Sequence, residues 1–405
     1  MKVLILSPEP PYPMHGGGAY RIASLLHYFA QFAQVDLILV SDSGKPCDVP
    51  PGLIHSQQVI PLPVHSKSLP SRYFRNARRA AAGIPPLIHR LSGLAKSIEQ
   101  AIAGRRYDLG VIEHFWLAPY LPILKESCRE TALDLHNIES VLHQRCAAVS
   151  GGLVKIGHNR FSAASRRLES ALLPEFNLIL ATSEDDAAIV RDFAPQSSVT
   201  IYPNSFPLVQ IPCQAEEFKV AFSANFEYHP NIDAVQFLLQ NIWPEVHRRH
   251  PGLRLHLIGR GEEAIRHFLP RDRAKSDIET TGPVPDALAE IARAMVVVAP
   301  LRAGSGTRIK IIEAWAAGRP VVATPMAAEG LKTHDDQNIL IAPDGPAFVA
   351  AIDSLLANPA ERQRIGSAGR RTFEEFYSWN AAWAKLDLDP QLMRNFGLKR
   401  YTGNF

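Results

Sequence analysis

Residues 299–329, reading APLRAGSGTRIKIIEAWAAGRPVVATPMAAE, combine a small-residue loop, two cations and one acid in a spacing that suits anion chemistry. An apolar run, Val296-Val297-Val298-Ala299, stops at Pro300. The turn Gly304-Ser305-Gly306-Thr307 follows, then a helical pattern that puts Ile309, Ile312, Trp315 and Ala316 on one face. Gly318 and Pro320 end that helix, and Val321-Val322-Ala323 begins another buried strand. A helix that opens at the carboxyl end of a strand presents unpaired N–H groups and a partial positive charge, which suit a diphosphate. Arg308 and Lys310 lie in its first turn, where the macrodipole favours acids instead. Cations at that end point to an anionic partner; two solvated basic residues are the alternative. Glu313 is the one acid of this helix. A carboxylate there can accept from two vicinal hydroxyls of a sugar ring, and a surface acid paired with Arg308 or Lys310 is the alternative.

A second constellation lies near the start of the chain. The first strand ends at Ser7, and a proline-rich loop leads through Gly16-Gly17-Gly18 into a helix over 19–32. Three glycines ahead of a helix let a ligand approach the backbone closely. The pattern is not Gly-x-Gly-x-x-Gly and no clear ribose-binding acid follows the second strand, so a nicotinamide site is poorly supported. His114 follows the run Val111-Ile112-Glu113, and His136 follows Leu133-Asp134-Leu135. Ligands bind outside the carboxyl ends of strands in open α/β sheets, so two histidines at neighbouring strand ends are candidates for the cleft. Asn137 and Glu139 follow His136 and suit sugar hydroxyls.

The elements that position these residues alternate. Apolar runs at 3–7, 35–40, 109–113, 132–135, 178–182 and 199–202 are separated by helical patterns, and a second set follows at 220–223, 253–258, 279–282, 296–300, 320–323 and 339–341. Continuous apolar runs suit parallel strands covered on both faces, and strand–helix alternation implies right-handed crossovers. The expectation is two Rossmann-like doubly wound α/β domains facing a cleft. With 405 residues, two domains of similar size fit the length. Pro203, Pro207 and Pro212 mark the linker. The expected boundaries are 1–205 for the acceptor side and 206–375 for the donor side. A helical segment, 376–405, carries Trp379 and Trp383 and is expected to pack back on the first domain. The stretch 61–86 reads as irregular and basic, a loop region.

Hydrophobic content of 46% and charged content of 20% are those of a soluble globular chain, and a net charge of +3 gives no reason to expect a nucleic-acid partner. Lys67, Arg72, Arg75, Arg78, Arg79, Arg90, Lys96, Arg105 and Arg106 face only Glu99 between positions 65 and 106. That basic stretch is expected to give weak, salt-sensitive contact with an anionic membrane surface through Arg75, Arg78 and Arg79; a solvated face is the alternative. Four scattered cysteines form no Cys-x-x-Cys pair and fit a reducing cytoplasm. The opening MKVLILSPEP reads as a buried strand rather than a signal peptide, and no run approaches a membrane span. The expected location is cytoplasmic, with peripheral contact at the inner membrane face.

Taken together, these residues resemble the GT-B glycosyltransferases, and among them the retaining glycosyltransferase family 4 (glycosyl transferases group 1). The stretch from Gly306 to Val322 resembles that family's Glu-x7-Glu signature with its Glu-Ala-x-Ala-x-Gly-x-Pro-Val-Val tail. Leu257-Ile258-Gly259-Arg260-Gly261, Thr281-Gly282, Pro230-Asn231, the glycine loop and His136 also match. The resemblance implies a nucleotide-diphospho-sugar as donor substrate, a glycan, lipid-linked or small-molecule acceptor, and neither cofactor nor metal. It places Glu313 on the ribose and His136 beside the transferred sugar. Backbone around Gly16, Gly17, Gly18, Ser305, Gly306, Thr307 and Arg308 would meet the diphosphate. The one tidy Asp-x-Asp, Asp387-Leu388-Asp389, lies in the tail, away from any metal-dependent transferase pattern.

Two departures stand out. Ser305 occupies the place of the signature's first Glu, which leaves the donor sugar open. The region 222–231 lacks the Arg and Lys that many members carry after the first strand of the second domain. Arg308 and Lys310 are expected to supply that charge, so both are candidates for a catalytic role. An inverting route would need a base, for which Glu113, His114 and His136 are available. A nucleotide-sugar epimerase or hydrolase on this fold, and a degenerate sugar-nucleotide-binding partner, are the competing functions.

Overall fold

The computed structural model describes residues 1–14, 16–63, 69–211, 215–270, 277–304 and 308–388. The chain divides into two compact units: residues 1–204 with the described residues from Ala382 onward, and Ser205–Ala381.

In the first unit seven strands form one parallel sheet: β1 (Lys2–Ser7), β2 (Gln34–Ser41), β3 (Ser56–Pro61), β4 (Tyr107–Glu113), β5 (Cys128–Asp134), β6 (Leu178–Ala181) and β7 (Ser198–Ile201). Their order is β3-β2-β1-β4-β5-β6-β7. The central strands are covered on both faces, so Val3, Leu4, Ile5 and Leu6 are all fully buried in a row. Strand β3 was not among the expected runs. Its sequence, SQQVIP, is polar because it is an edge strand, and Ile60 is its one buried residue. The stretch 61–86 is corrected as well. It contains a helix, Leu69–Ala82, whose Ala and Arg content favours helix despite the flanking prolines. This helix packs beside the long helix Gly152–Leu172.

In the second unit β8 (Glu217–Ser223), β9 (Arg254–Ile258), β10 (Ile278–Thr280), β11 (Ala294–Ala299), β12 (Val321–Ala323) and β13 (Leu340–Ile341) form a parallel sheet in the order β10-β9-β8-β11-β12-β13. All six expected runs of the second half are strands here. Both sheets reverse direction beside their first strand, between β1 and β4 and between β8 and β11. That reversal opens the crevice in which such sheets hold ligands.

The helix Ile309–Ala316 is held from below. Gly318, with φ 66°, lies just past its end in the left-handed region that glycine tolerates best. Gly369 lets the helix Pro359–Phe376 approach so closely that a Cβ there would lie 2.3 Å from Cδ1 of Trp315. Trp315 is fully buried and its indole N–H donates to the Asn338 carbonyl at 2.9 Å. In the last described helix, Trp379–Asp387, Trp383 donates to Ser24, and Asp387 accepts from the Tyr28 hydroxyl at 2.9 Å. Asp387 thus works as a packing contact, while Asp389 lies outside the described residues.

Candidate active site

The donor-side constellation sits at the reversal point of the second sheet. Strand β11 leads through Gly304 to Arg308, which caps the helix Ile309–Ala316 with an extended backbone rather than sitting in its first turn. Arg308 is buried, and its guanidinium packs on Gly304, where φ of 126° and the missing Cβ make the room. Lys310 reaches toward the helix His229–Phe237, which follows the loop after β8. Its Nζ donates to Asn231 Oδ1 at 3.1 Å and lies 5.8 Å from the centre of the Phe222 ring. Asn231 is fixed in turn, its Nδ2 donating to the Asn225 carbonyl at 2.8 Å. Burial beside Arg308 pushes Lys310 down to about 8, with Glu313 opposing.

Glu313 lies one turn deeper and is buried. Burial pushes its carboxyl up to about 7, against the pull of Lys310. Among the described residues no hydrogen-bond donor meets this carboxyl, so it is ready for a ligand's hydroxyls. Ser305, Gly306 and Thr307 lie outside the described residues.

The second constellation sits where the first sheet reverses. Gly16 opens the helix Gly17–Ala30 with φ 92°, a backbone angle that favours glycine. Gly18 has a neighbour that the sequence did not signal. A Cβ on it would come 2.3 Å from Glu9 Oε2, so the Glu9 carboxylate lies against this helix N-terminus. The same Oε2 lies 3.7 Å from His114 Nε2, joining the loops after β1 and β4.

Strands β4 and β5 end side by side, Glu113 opposite Asp134, which brings the two histidines together. The His114 and His136 rings stack with centroids 3.5 Å apart, and Trp116 stacks on the far side of His114 at 4.1 Å. The backbone of His114 holds φ 64°, a sparsely populated angle for a residue with a side chain. His136 Nε2 is hydrogen-bonded with Glu113 Oε2 at 2.9 Å and lies 3.4 Å from Asp134 Oδ2.

Arg21, from the first helix, completes the cluster. It donates to both oxygens of Asp134, at 2.5 to 2.8 Å, and to the Tyr202 carbonyl at 2.6 Å. Burial works to raise the Asp134 carboxyl, but the Arg21 guanidinium and His136 hold it well below the usual range. Burial and the nearby Asp134 charge push Glu113 well up. Burial and His114 push His136 down to about 4. Near neutral pH the cluster therefore holds the Arg21–Asp134 ion pair beside a neutral His136, with Glu113 shifted toward its protonated form.

Glu113, Asp134 and His136 have ligand atoms within 4.8 Å of one another, a spacing that could hold a metal ion. Arg21 already engages both Asp134 oxygens and supplies the positive charge that such an ion would bring.

Sequence reasoning named His136, Arg308, Lys310 and Glu313, and all four are buried or half-buried at strand ends or at the helix opening. It missed Arg21, whose role depends on a partner far along the chain, and Glu9, which read as part of a proline loop.

Residues 217–358 match the family described as Glycosyl transferases group 1. No curated protein matches the chain in sequence at a significant level. Among solved structures, sucrose-phosphate synthase from Thermosynechococcus elongatus is similar with a TM-score of 0.72 at 19% identity, over 98% of this chain and 99% of that one. Trehalose-6-phosphate synthase OtsA gives 0.66 at 14% identity, over 98% and 100%. Anabaena HepE in complex with UDP-glucose gives 0.64 at 16% identity, over 95% and 98%. The chain therefore has the GT-B fold of glycosyltransferases, and residues 217–358 within it match the glycosyl transferases group 1 family.

Proposed function

We propose that this protein transfers a sugar from a nucleotide-diphospho-sugar to a hydroxyl acceptor, with retention and without a resident metal. The observation that carries the reading is the donor-side arrangement: Glu313, a buried carboxyl that meets no donor among the described residues, one helical turn from Lys310 and Arg308 at a sheet reversal. A nucleoside diphosphate has the complementary chemistry. Its ribose diol donates to Glu313, and its diphosphate meets two cations and a helix N-terminus.

In this reading the bond between the anomeric carbon and the diphosphate oxygen breaks as the acceptor oxygen attacks the same face. The acceptor's proton passes to the leaving phosphate. Arg308 and Lys310 stabilise the charge that develops there, a contribution of about 3 kcal/mol for one well-placed donor. His136 flanks the transferred sugar. Held neutral, it contributes hydrogen bonds without adding a charge. Asp134, already bound by Arg21, acts as its anchor rather than as a nucleophile.

The acceptor classes are a glycan, a lipid-linked sugar or a small molecule. Contact with an anionic membrane, at the cytoplasmic face, is part of the proposal. Its surface is the helix Leu69–Ala82, where Phe74 is 73% exposed and Arg78 faces solvent. Leu153, at 85% exposure, stands on the helix that packs beside it. Among the described residues no helix is long and apolar enough to cross a membrane.

The test is turnover of a donor panel, beginning with UDP-glucose because HepE was solved with it. Acceptor-dependent release of nucleoside diphosphate with retained anomeric configuration supports the reading. Sugar release or epimerisation at the same rate without acceptor identifies a hydrolase or epimerase instead. Nucleotide binding without turnover over a broad acceptor set identifies a binding partner.

A further inference from the structure

The helix Leu69–Ala82 divides its arginines between two faces. Phe74 and Arg78, one turn apart, are exposed. Arg75 and Arg79, the next pair at the same spacing, are half-buried and buried. Arg79 Nε donates to His89 Nδ1 at 3.3 Å, which ties this helix to the short helix Pro86–Arg90. Arg90, its last residue, reaches the loops that follow β2 and β3. Its Nη1 donates to the Pro63 carbonyl at 2.6 Å, and its Nη2 pairs with Asp42. Burial, and then the charges of Arg75 and Arg90, lower Arg79 below the ordinary arginine range, so the other two guanidiniums lie within reach of its field. The Asp42 side chain is 76% exposed, and a surface acid offsets little of the charge of three guanidiniums. The strands β3, β2 and β1 run parallel, so this cluster lies at the same edge of the sheet as the glycine loop.

We propose that Arg75, Arg79 and Arg90 bind a phosphate group carried by the acceptor, which makes the acceptor a phosphorylated molecule rather than a neutral sugar. A phosphate presents several strong acceptor oxygens, and planar guanidiniums meet them in bidentate pairs. An anion at this place offsets the mutual repulsion of the cations. His89 steadies Arg79, while Pro63 and Asp42 steady Arg90, so two of the three are ordered before a ligand arrives. The phosphate comes from a soluble sugar phosphate or from a lipid phosphate headgroup. Its assignment to an acceptor rests on the sugar-transfer reading; the anion site itself does not.

The test is calorimetric binding to the full native chain without donor. The probes are inorganic phosphate, glucose 6-phosphate, and phosphatidylcholine vesicles with and without phosphatidic acid. Saturable binding of a phosphate-bearing probe is expected, and the tighter of glucose 6-phosphate and the phosphatidic acid vesicles identifies the source. Arg75→Gln, Arg79→Gln and Arg90→Gln each weaken it about 10- to 100-fold, the range for one charged hydrogen bond. Arg79→Lys recovers part of the loss, which a variant that merely folds less well would not explain. Lys96→Ala removes an exposed charge from the same stretch and leaves binding unchanged. No saturable binding of any phosphate probe overturns the proposal, as does equal affinity in the native chain and all three glutamine variants. Transfer that proceeds equally well to a sugar and to its phosphate also overturns it and leaves the sugar-transfer reading standing. Phosphate binding through these arginines with no turnover of any donor supports the site and removes that reading instead.

Discussion

Lys310 donates to Asn231 across the reversal point of the second sheet, joining the helix after β11 to the first turn of the helix His229–Phe237 that follows the β8 loop, at 3.1 Å. The loop after β8 carries no Arg or Lys between Ser223 and Tyr228, so the bond brings a cation from the next element to a region that has none of its own. If Lys310 and Arg308 stabilise the leaving diphosphate, Lys310→Ala lowers kcat roughly 10²-fold, and Arg308→Ala does so to a similar degree. Steady-state kinetics with an active donor checks this. Unchanged turnover in both variants removes the assignment.

The same group sets an alkaline limit. Lys310 has its affinity near 8, below the ordinary lysine range, and only its protonated form attracts the diphosphate. Glu313 has its affinity near 7, and only its ionised form accepts from both ribose hydroxyls without competition from its own proton. Donor kcat/KM therefore falls as pH drops through about 7 and again as pH rises through about 8. Glu313→Gln flattens the acid limb and raises donor KM by roughly 10- to 100-fold, in line with about 1.5–3 kcal/mol for a charged hydrogen bond. A profile flat from pH 6 to 9 in the native enzyme would remove both roles.

Arg21 and Asp134 form a fully buried ion pair, so removing one partner leaves the other charge without compensation. Arg21→Met is expected to destabilise the first unit by about 3–5 kcal/mol, and pairing it with Asp134→Leu recovers much of that loss. Denaturant melts of the single and double variants measure the coupling. Additive losses would mean that the two side chains act independently.

Gly369 is a packing requirement under the donor helix. A methyl group there meets the Trp315 ring at 2.3 Å. Gly369→Ala should cost about 1–3 kcal/mol of stability and shift the intrinsic fluorescence. A variant as stable as the parent would show that the helix Pro359–Phe376 can move away freely.

Membrane contact, where it occurs, should depend on Phe74 and Arg78 rather than Arg79. Arg79 is buried and donates to His89 at 3.3 Å, which removes it from the surface first assigned to it. Sedimentation with phosphatidylserine vesicles should weaken for Phe74→Ala and Arg78→Ala and at high salt. Binding indifferent to salt and to both residues would count against this face.

The parts of the fold that could be read from the sequence share one physical property. β8 and β11 are buried on both faces, so their residues form apolar runs that stand out unaided. β3 and the helix Leu69–Ala82 lie at an edge or surface, where polar residues carry no burial signal. The site divides in the same way. Glu313 and Lys310 are legible because helix spacing relates them locally. His114 and His136 could be paired because each ends an apolar run. Arg21 was not legible, since its partners, Asp134 and Tyr202, are far along the chain and only the strand order brings them to it. Glu113 was visible as a possible base, but the burial that pushes its carboxyl up emerges only from the packed sheet.

The most direct test of the donor site is protection against thermal unfolding by UDP, GDP and ADP and by their sugars, measured on the native chain, Glu313→Ala and Lys310→Ala. The account predicts that one nucleoside diphosphate series raises the native midpoint, by about 2.7 kcal/mol of stabilisation at a hundredfold excess over Kd, and that both variants lose most of this gain. Protection by none of the nucleotides, or equal protection of all three proteins, would contradict it.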